Sequence, residues 1–259
     1  LKIALNNPRL EVVAINDLTD ATTLAHLLRH DTNYGNWSVP VKASKDFIIV
    51  DGQKIPVLAE RDPKNLPWGD MGVDIVVEST GFFRTEEAAS QHITAGAKRV
   101  VISAPAKGGH VPTYVLGVNG DGLKKEKAAV LNNASCTTNC VTPMLAILEE
   151  AFGIKKAMMS TVHGYTADQN LTDSPHSDLR RARAAAENIV PTSSGASSAV
   201  AETIPSLKNK FDGFAMRVPV STVSIADVTA LLKERVTVEE VNAAIIKACK
   251  SPRWRNIVT

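Results

Sequence analysis

The chain has 259 residues, of which 44% are hydrophobic and 22% charged, and its formal net charge is +2. This composition is typical of a soluble globular protein of one large or two ordinary domains, and it gives no reason to expect nucleic acid or a membrane as a partner. Three cysteines in a chain of this length do not make a disulfide framework, which favours a reducing, cytoplasmic compartment.

The first half of the chain alternates predicted strands with predicted helices. Runs of valine and isoleucine predict four buried strands: "RLEVVAIND", "GVDIVVEST", "KRVVISAP" and "AAVLNNAS". Two helices are predicted, "TLAHLLRH" and "TEEAASQHITAGA", the second with Thr85 as its N-cap and Gly96 near its end. The stretch "FIIVDGQKIPVL" predicts a hairpin that turns at Asp51 and Gly52. Continuous apolar strands separated by helices indicate a parallel sheet that is covered on both faces.

After Ala151 the pattern becomes that of an α+β domain. Three strands are predicted, "KKAMMSTVHGY", "GFAMRVPV" and "STVSIADVTALL". "SDLRRARAAAENIV" predicts a helix that Pro191 ends, "TSSGASSAVAETIPSL" a loop followed by a helix, and "TVEEVNAAIIKACK" a helix that Thr237 caps. We place the domain boundary near Cys136, so that one domain spans residues 1–135 and the other residues 136–259.

The expected fold class depends on what precedes the first predicted strand. A dinucleotide-binding fold needs a strand and a G-x-G-x-x-G turn before "EVVAIND", and the first ten residues, "LKIALNNPRL", contain no glycine. We therefore expect either another fold or a dinucleotide-binding domain whose first strand and glycine loop lie outside this sequence. Asp17, which closes "EVVAIND", would bind an adenosine ribose in such a fold, but the local sequence is equally typical of a helix N-cap. The last residues, "SPRWRNIVT", follow directly on a helix, and we expect the second domain to be incomplete as well.

Two cysteines lie four residues apart in "ASCTTNC", residues 134–140, between a predicted strand and a predicted helix. A zinc site would need two further soft ligands, and a disulfide along one helix is geometrically awkward, so the sequence predicts neither. Unpaired N–H groups and the positive end of the dipole at a helix N-terminus favour the thiolate of Cys136. Cys140, one turn later, is expected to be a small buried residue on the inward side of the helix.

A thiolate nucleophile requires a base, and the first histidine downstream is His163, in "STVHGYTADQ". The chain has six histidines, and position alone does not distinguish a catalytic histidine from a structural one. The hydroxyls beside the thiol and the "TSSG" loop at residues 192–195 are candidate phosphate ligands. "RRAR" and Arg217 add positive charge, although arginines on a helix more often form a solvated face.

Taken together, these segments resemble the phosphorylating glyceraldehyde-3-phosphate dehydrogenases. The resemblance runs from "EVVAINDL" to "VTVEEVNAA", nearly the whole chain, and "ASCTTNC" is its most specific element. "STVHGYTADQ", "DLRRARAAAENIVPTSSGA" and "MRVP" follow in the order and at the spacing of the family. The fold that it implies is a Rossmann-type α/β dinucleotide-binding domain, without its first strand and glycine loop, followed by an α+β catalytic domain without its C-terminal part.

The resemblance also implies a reaction, the oxidation of glyceraldehyde 3-phosphate to 1,3-bisphosphoglycerate with NAD and inorganic phosphate through a thioester on Cys136. His163 would activate the thiol and take the hydroxyl proton, while Thr166 and Arg217 would hold the substrate phosphate. The other implied residues bind either the attacking phosphate (Ser135, Thr137, Arg181, Ser194 and Gly195) or the cofactor (Asp17, Arg61, Ser79, Thr80, Gly81 and Ser103). No residue is implied as a metal ligand. Because "DLRRARAAA" lies at a subunit contact in this family, a homotetramer is implied as well.

Two departures from the family pattern bear on the cofactor and the substrate. Ser174, in "DSPH", stands where NAD-preferring members usually carry leucine, but Asp17 would repel the 2′-phosphate of NADP. We therefore expect NAD, with NADP as the less favoured alternative. "RVPVSTVSIAD" departs from the commoner wording after "RVP".

Three other functions stay open. An erythrose-4-phosphate dehydrogenase would share the thiol, the histidine and the scaffold. A thiol hydrolase or acyltransferase without nicotinamide is disfavoured by "VVAIND" and by the parallel-sheet pattern. An inactive piece that serves only as a binding or structural module is disfavoured by the intact pair of Cys136 and His163.

Overall fold

The structure is a computed structural model that describes residues 1–259. The chain forms two compact units, one made of Leu1–Val76 and Ser90–Val100, the other of Val77–Ala89 and Val101–Thr259. None of the helices combines the length and the apolar character that crossing a membrane requires.

Seven α-helices and thirteen strands make up the regular structure. The helices are α1 (Lys2–Leu5), α2 (Ala21–Arg29), α3 (Glu86–Ala89), α4 (Gln91–Thr94), α5 (Cys136–Phe152), α6 (Ala196–Thr203) and α7 (Val238–Lys250). The strands are β1 (Ile15–Asn16), β2 (His30–Asp31), β3 (Gly35–Asn36), β4 (Val41–Ser44), β5 (Phe47–Val50), β6 (Gln53–Leu58), β7 (Ile75–Glu78), β8 (Arg99–Ile102), β9 (Val130–Asn132), β10 (Ile154–Gly164), β11 (Val190–Ser193), β12 (Phe211–Val218) and β13 (Ser224–Leu232).

In the first unit, a four-stranded sheet in the order β1-β6-β5-β4 packs against α2. The predicted hairpin is confirmed, because β5 and β6 pair antiparallel across Asp51 and Gly52, whose φ angles of 48° and 84° suit a tight two-residue turn. Asp20 caps α2 by accepting the N–H groups of Thr22 and Thr23. The N-cap alternative for Asp17 is therefore wrong.

The long buried strand expected from "RLEVVAIND" is wrong in extent. Only Ile15 and Asn16 are strand, and both are partly exposed. β1 has one neighbour in its sheet, β6, with which it pairs in parallel over two residues. A buried strand of a parallel sheet needs partners along its length. The apolar residues before Ile15 have no such partner, so they do not lengthen β1.

The predicted strands around residues 75, 100 and 131 form a sheet in the order β7-β8-β9. The Arg99 N–H donates to Asp74 O, and further along the chain the Ser103 N–H donates to Glu78 O. The donor and the acceptor therefore move in the same direction along their strands, so β7 and β8 run parallel. β9 is buried throughout, as expected. β7 is not, because it lies at the edge of the sheet and exposes Ile75 and Val77.

The helix predicted over "TEEAASQHITAGA" is divided into α3 and α4. Thr85 caps α3 as predicted, since its hydroxyl accepts the N–H of Ala88. At Ser90 the ψ angle is −12°, whereas residues of an α-helix have a ψ of about −42°. This departure interrupts the hydrogen-bond ladder of the helix. Gly96 ends the segment with a φ of 104°, where an added Cβ would lie 2.4 Å from Gly69 Cα.

In the second unit, one mixed sheet in the order β11-β12-β10-β13 packs one face against α5, α6 and α7. The three strands predicted there are confirmed, and so is α7, which Thr237 and Glu240 start with a reciprocal capping box. β10 pairs in parallel with β12 and antiparallel with β13, so β10 is central. This sheet and α5 carry most of the candidate site.

The helix predicted over "SDLRRARAAAENIV" is wrong. Only a 3₁₀ turn forms, at Leu179–Ala182, and Pro191 lies within β11 rather than at a helix end. The N–H of Ala184 donates to Asp173 Oδ1 and that of Ala185 to Asn170 O. Because these N–H groups bond to an earlier loop instead of to carbonyls one turn back, a regular helix cannot continue.

Candidate active site

The thiol of Cys136 stands at the corner where β9 leads into α5. Ala134 turns the chain with a φ of 56°, and its N–H donates to Asn132 Oδ1 at 3.0 Å. Ser135 then caps α5, because its Oγ accepts the N–H of Thr138 at 3.0 Å. Cys136 is the first residue of α5 and is exposed. Its sulfur therefore lies at the positive end of the helix dipole, as the sequence predicted.

His163 reaches the thiol from β10, and its Nε2 lies 3.4 Å from Cys136 Sγ. The other ring nitrogen, Nδ1, lies 2.6 Å from Gly164 O. In the tautomer that carries its proton on Nδ1, this nitrogen donates to Gly164 O and Nε2 presents its lone pair to the thiol. The pair can therefore transfer a proton from sulfur to imidazole.

Arg217 lies beside His163 because β10 and β12 pair in parallel with these two residues directly opposite. Its Nη1 donates to Gly164 O at 3.1 Å and approaches His163 Nδ1 to 2.7 Å. Burial lowers the pKa of Arg217, and the positive charge of Arg181 lowers it further. A bound anion would therefore stabilise this guanidinium.

An open cavity of about 400 Å³ lies beside the thiol. Thr137 and Thr166 line it together with Cys136 and His163, and residues 221–224, which lead into β13, form another wall. Cys140 also lines the cavity and is exposed, so the expectation of a buried residue on the inward side of α5 is wrong. Residues four apart share one face of a helix, and this face of α5 opens onto the cavity.

The segment between β10 and β11, residues 165–189, is called the arginine loop below. Arg181 is held there at both sides: its Nη1 donates to Asp168 Oδ2 at 2.6 Å, and its Nε and Nη2 donate to Thr192 Oγ1 at 2.9 and 2.6 Å. The hydrogen bonds from Arg180 lower the pKa of Asp178 to about 2. The arginines of "RRAR" thus form specific ion pairs rather than the solvated face of a helix.

The remaining predicted phosphate ligands are already engaged in local bonds. Ser135 Oγ lies 2.8 Å from Thr138 Oγ1, and Ser194 Oγ accepts the N–H of Ala196 at 3.3 Å. Gly195 is the N-cap residue of α6. Ser194 and Gly195 are not among the residues that line the cavity beside the thiol, whereas Thr137 and Thr166 are.

The predicted cofactor residues follow the ends of strands. Asp17 and Arg61 belong to the first unit, where they follow the parallel neighbours β1 and β6. Asp17 is exposed and donates its N–H to Leu58 O. The others belong to the second unit: Ser79, Thr80 and Gly81 follow β7, and Ser103 follows β8.

These residues fit a dinucleotide by their chemistry. An exposed carboxylate after a parallel strand, as at Asp17, can accept both hydroxyls of a ribose. Gly81 has a φ of 78°, and nothing lies within 4 Å of the place where a Cβ would stand, so a ligand can approach its backbone closely. No group of three or more potential metal-ligating side chains is brought together in the structure.

The contacts that hold Arg181 were missed by reasoning from the sequence. Asp168 was assigned no role, and Thr192 was expected only as part of a phosphate-binding loop, whereas both accept hydrogen bonds from Arg181. Their partner is far along the chain, so no local spacing could have indicated the contact. The acid in "YTADQ" and the first hydroxyl of "TSSG" were visible signals, but they had no partner before the fold was known.

Comparison with known proteins gives consistent results over most of the chain. The family model "Glyceraldehyde 3-phosphate dehydrogenase, NAD binding domain" matches residues 1–86, and the C-terminal domain model of the same name matches residues 135–259. A glyceraldehyde-3-phosphate dehydrogenase of Geobacillus stearothermophilus is 55% identical over 96% of this chain and 74% of its own length. Similar proteins of the same name occur in Bacillus subtilis (strain 168), at 53% identity, and in Streptomyces coelicolor, at 55%, with the same coverage.

Proposed function

This chain belongs to the glyceraldehyde-3-phosphate dehydrogenase family, and from that membership we propose that Cys136 and His163 are the residues with which it performs the family's reaction. It is an NAD-dependent oxidoreductase, and its substrates are glyceraldehyde 3-phosphate and inorganic phosphate. The observation that carries the assignment of residues is the 3.4 Å contact between Cys136 Sγ and His163 Nε2 beside an open cavity.

Cys136 is the nucleophile that attacks the aldehyde carbon, after His163 Nε2 has accepted the thiol proton. His163 returns this proton to the alkoxide of the hemithioacetal and later takes the hydroxyl proton again during the oxidation. Bound NAD supplies the acceptor for the hydride. Cys136 then carries the acyl group as a thioester until inorganic phosphate attacks it and releases 1,3-bisphosphoglycerate.

Thr166 and Arg217 hold the phosphate of the substrate. Burial and the neighbouring charge lower the pKa of Arg217, and a bound phosphate dianion would offset both effects. The attacking phosphate is held by hydroxyl, amide and guanidinium donors near the thiol and the start of α6, namely Ser135, Thr137, Arg181, Ser194 and Gly195.

The cofactor residues of the proposal are those that follow strand ends. Asp17 accepts the hydroxyls of the adenosine ribose, and its negative charge disfavours the 2′-phosphate of NADP. Arg61 follows the neighbouring strand β6, which ends at Leu58. The open backbone of Gly81, with Ser79, Thr80 and Ser103, contacts the rest of the dinucleotide.

We also propose that the protein is a cytoplasmic homotetramer. The face of the β11-β12-β10-β13 sheet that does not meet the helices carries Phe214, Ile225 and Leu231, which are 43%, 71% and 60% exposed. An apolar sheet face of this kind favours burial against another copy of the chain. The near-neutral net charge gives no reason to add nucleic acid or a membrane as a partner.

We propose that the functional division of the chain lies between residues 1–135 and 136–259. The start of α5 at Cys136 supports it, since this helix packs on the mixed sheet that carries His163 and Arg217. The boundary then places the nucleophile, the base and the phosphate ligands other than Ser135 together, and the cofactor residues before them.

The substrate assignment is tested by following NADH formation with glyceraldehyde 3-phosphate and with erythrose 4-phosphate, each with and without inorganic phosphate. We expect kcat/KM to favour glyceraldehyde 3-phosphate by about tenfold or more, with steady turnover only when phosphate is present. A strong preference for erythrose 4-phosphate would overturn the substrate assignment. Thioester hydrolysis without any NAD reduction would instead identify a thiol hydrolase.

A further inference from the structure

We infer that Asp168 is a positioning residue for the attacking phosphate, because its carboxylate fixes the guanidinium of Arg181. This inference rests on the proposed function, in which Arg181 binds that phosphate. Asp168 does not itself touch the substrate, and an anion would be repelled by it, so its effect acts through the arginine.

The hold on Arg181 leaves part of its guanidinium free. Arg181 has five N–H donors, and one bond to Asp168 Oδ2 and two to Thr192 Oγ1 occupy three of them. One N–H on each terminal nitrogen remains. On a planar group whose orientation is fixed on two sides, these two donors are available to the oxygens of a phosphate.

Thr192 provides the rigid side of this arrangement. It is buried in β11, which pairs with β12, the strand that carries Arg217. Its hydroxyl donates to Asp178 Oδ2 at 3.3 Å, so the lone pairs of Thr192 Oγ1 face Arg181. Asp168 lies in the arginine loop and provides the other side, and it is the only one of the two that brings a charge.

That charge matters because the positive charges of Arg181 and Arg217 repel each other. The charge of Arg181 lowers the pKa of Arg217, after the larger effect of burial, while the charge of Asp168 acts in the opposite direction. The charge of Asp168 therefore acts on both guanidinium groups, although it bonds only to that of Arg181. Without its negative charge, Arg181 would lose a 2.6 Å charged hydrogen bond and be pushed away from Arg217.

His176 supports the same carboxylate. Its Nε2 lies 3.4 Å from Asp168 Oδ2, and in the tautomer with the ring proton on Nε2 its Nδ1 accepts the N–H of Asp178 at 2.9 Å. Burial would raise the pKa of Asp168, but the bonds and charges of Arg181 and His176 bring it below its usual value. Asp168 is thus ionised and doubly held at one oxygen.

The test separates phosphate attack from the steps before it. In Asp168→Asn, which keeps the shape and removes the charge, we expect the KM for inorganic phosphate to rise about tenfold, the effect of one lost charged hydrogen bond. The burst of NADH formed on mixing with glyceraldehyde 3-phosphate and NAD in the absence of phosphate should stay within about twofold of wild type. In Asp168→Glu, which restores the charge, the KM for phosphate should return towards wild type.

A matched control lies in the same loop. Asp173 accepts the N–H of Ala184 and pairs with Arg183 at 3.1 Å, but it does not contact Arg181. Asp173→Asn should therefore leave the KM for phosphate unchanged. The inference is overturned if Asp168→Asn leaves that KM unchanged, if its burst slows in proportion, or if Asp173→Asn has the same effect. A wild-type chain without any NADH burst would overturn the proposed function itself and this inference with it.

Discussion

The two halves of the site are held by different forces. The thiol corner, residues 134–140 with His163, is built on the backbone of regular elements. Cys136 is fixed by the first turn of α5, and His163 by β10, which is bonded to strands on both sides. The 3.4 Å contact between their side chains follows from where the helix starts and where the strand ends.

The arginine loop has almost no regular structure, and side-chain charges determine its shape. Asp168, Asp173 and Asp178 each bind an arginine of the segment "RRAR". Charged contacts of this kind weaken with salt and with protonation, whereas main-chain ladders are little affected by either. The position of the thiol corner should therefore tolerate changes of pH and salt that loosen the phosphate site.

The largest expected effect is at the thiol corner. Cys136→Ser should lower dehydrogenase activity by about 10³-fold or more, because a serine hydroxyl is not ionised by the helix terminus and the histidine. The far-UV circular dichroism should be that of the wild type, since the residue is exposed and its cap at Ser135 is kept.

Cys140 is the matched control for this substitution. It lies on the same face of α5 and lines the same cavity, but no base contacts its sulfur. Cys140→Ser should change kcat by less than about threefold. If iodoacetamide labels Cys140 or Cys249 and spares Cys136, as read by mass spectrometry of peptides, the assignment of the nucleophile is wrong.

The thiol corner could be predicted from the sequence because its signals are local. The capping serine, the apolar run of β9 and the helical pattern of α5 all lie within the same short stretch. The prediction that Cys140 lies on the inward side of α5 was wrong. Its spacing of four residues from Cys136 already indicated that both cysteines share one face of the helix.

The arginine loop could not be predicted in this way. Its alanines and arginines have high helix propensity, and tertiary contacts override that preference. The N–H groups of Ala184 and Ala185 bond to Asp173 and Asn170, which are too far along the chain to compete visibly in a helical pattern. Likewise, the apolar pattern of "EVVAIND" does not indicate how many strands pair with this segment. The structure gives it one neighbour, β6, so the length of β1 was overestimated.

A smaller effect is expected when the N-cap of α5 is removed from the thiol corner. Ser135→Ala removes the acceptor for the Thr138 N–H and should lower the free energy of unfolding by about 1 kcal/mol. Urea unfolding followed by circular dichroism measures this. Ser198→Ala is the control: its hydroxyl donates to Gly195 O within α6 and accepts no cap N–H, so a change within about 0.5 kcal/mol is expected. If both variants lose the same free energy of unfolding, the capping hydrogen bond of Ser135 does not stabilise α5 more than an ordinary serine hydroxyl does.

The smallest effect should appear in the arginine loop, and its pH dependence would distinguish the two regions. Hydrogen bonds from Arg180 lower the pKa of Asp178 from 3.8 to about 2, so the stabilising effect of this carboxylate is complete above about pH 4 and is lost as the pH falls through 2. Asp178→Asn should therefore unfold at a lower urea concentration than the wild type from pH 8 to pH 4, with a constant difference between their midpoints. Below pH 4 that difference should shrink, and added salt should shrink it at every pH, because Asp178 and Arg180 meet near the surface. A difference that widens as the pH falls would mean that Asp178 is held by something other than the arginine, and the contrast between a backbone-built thiol corner and a charge-built loop would fail.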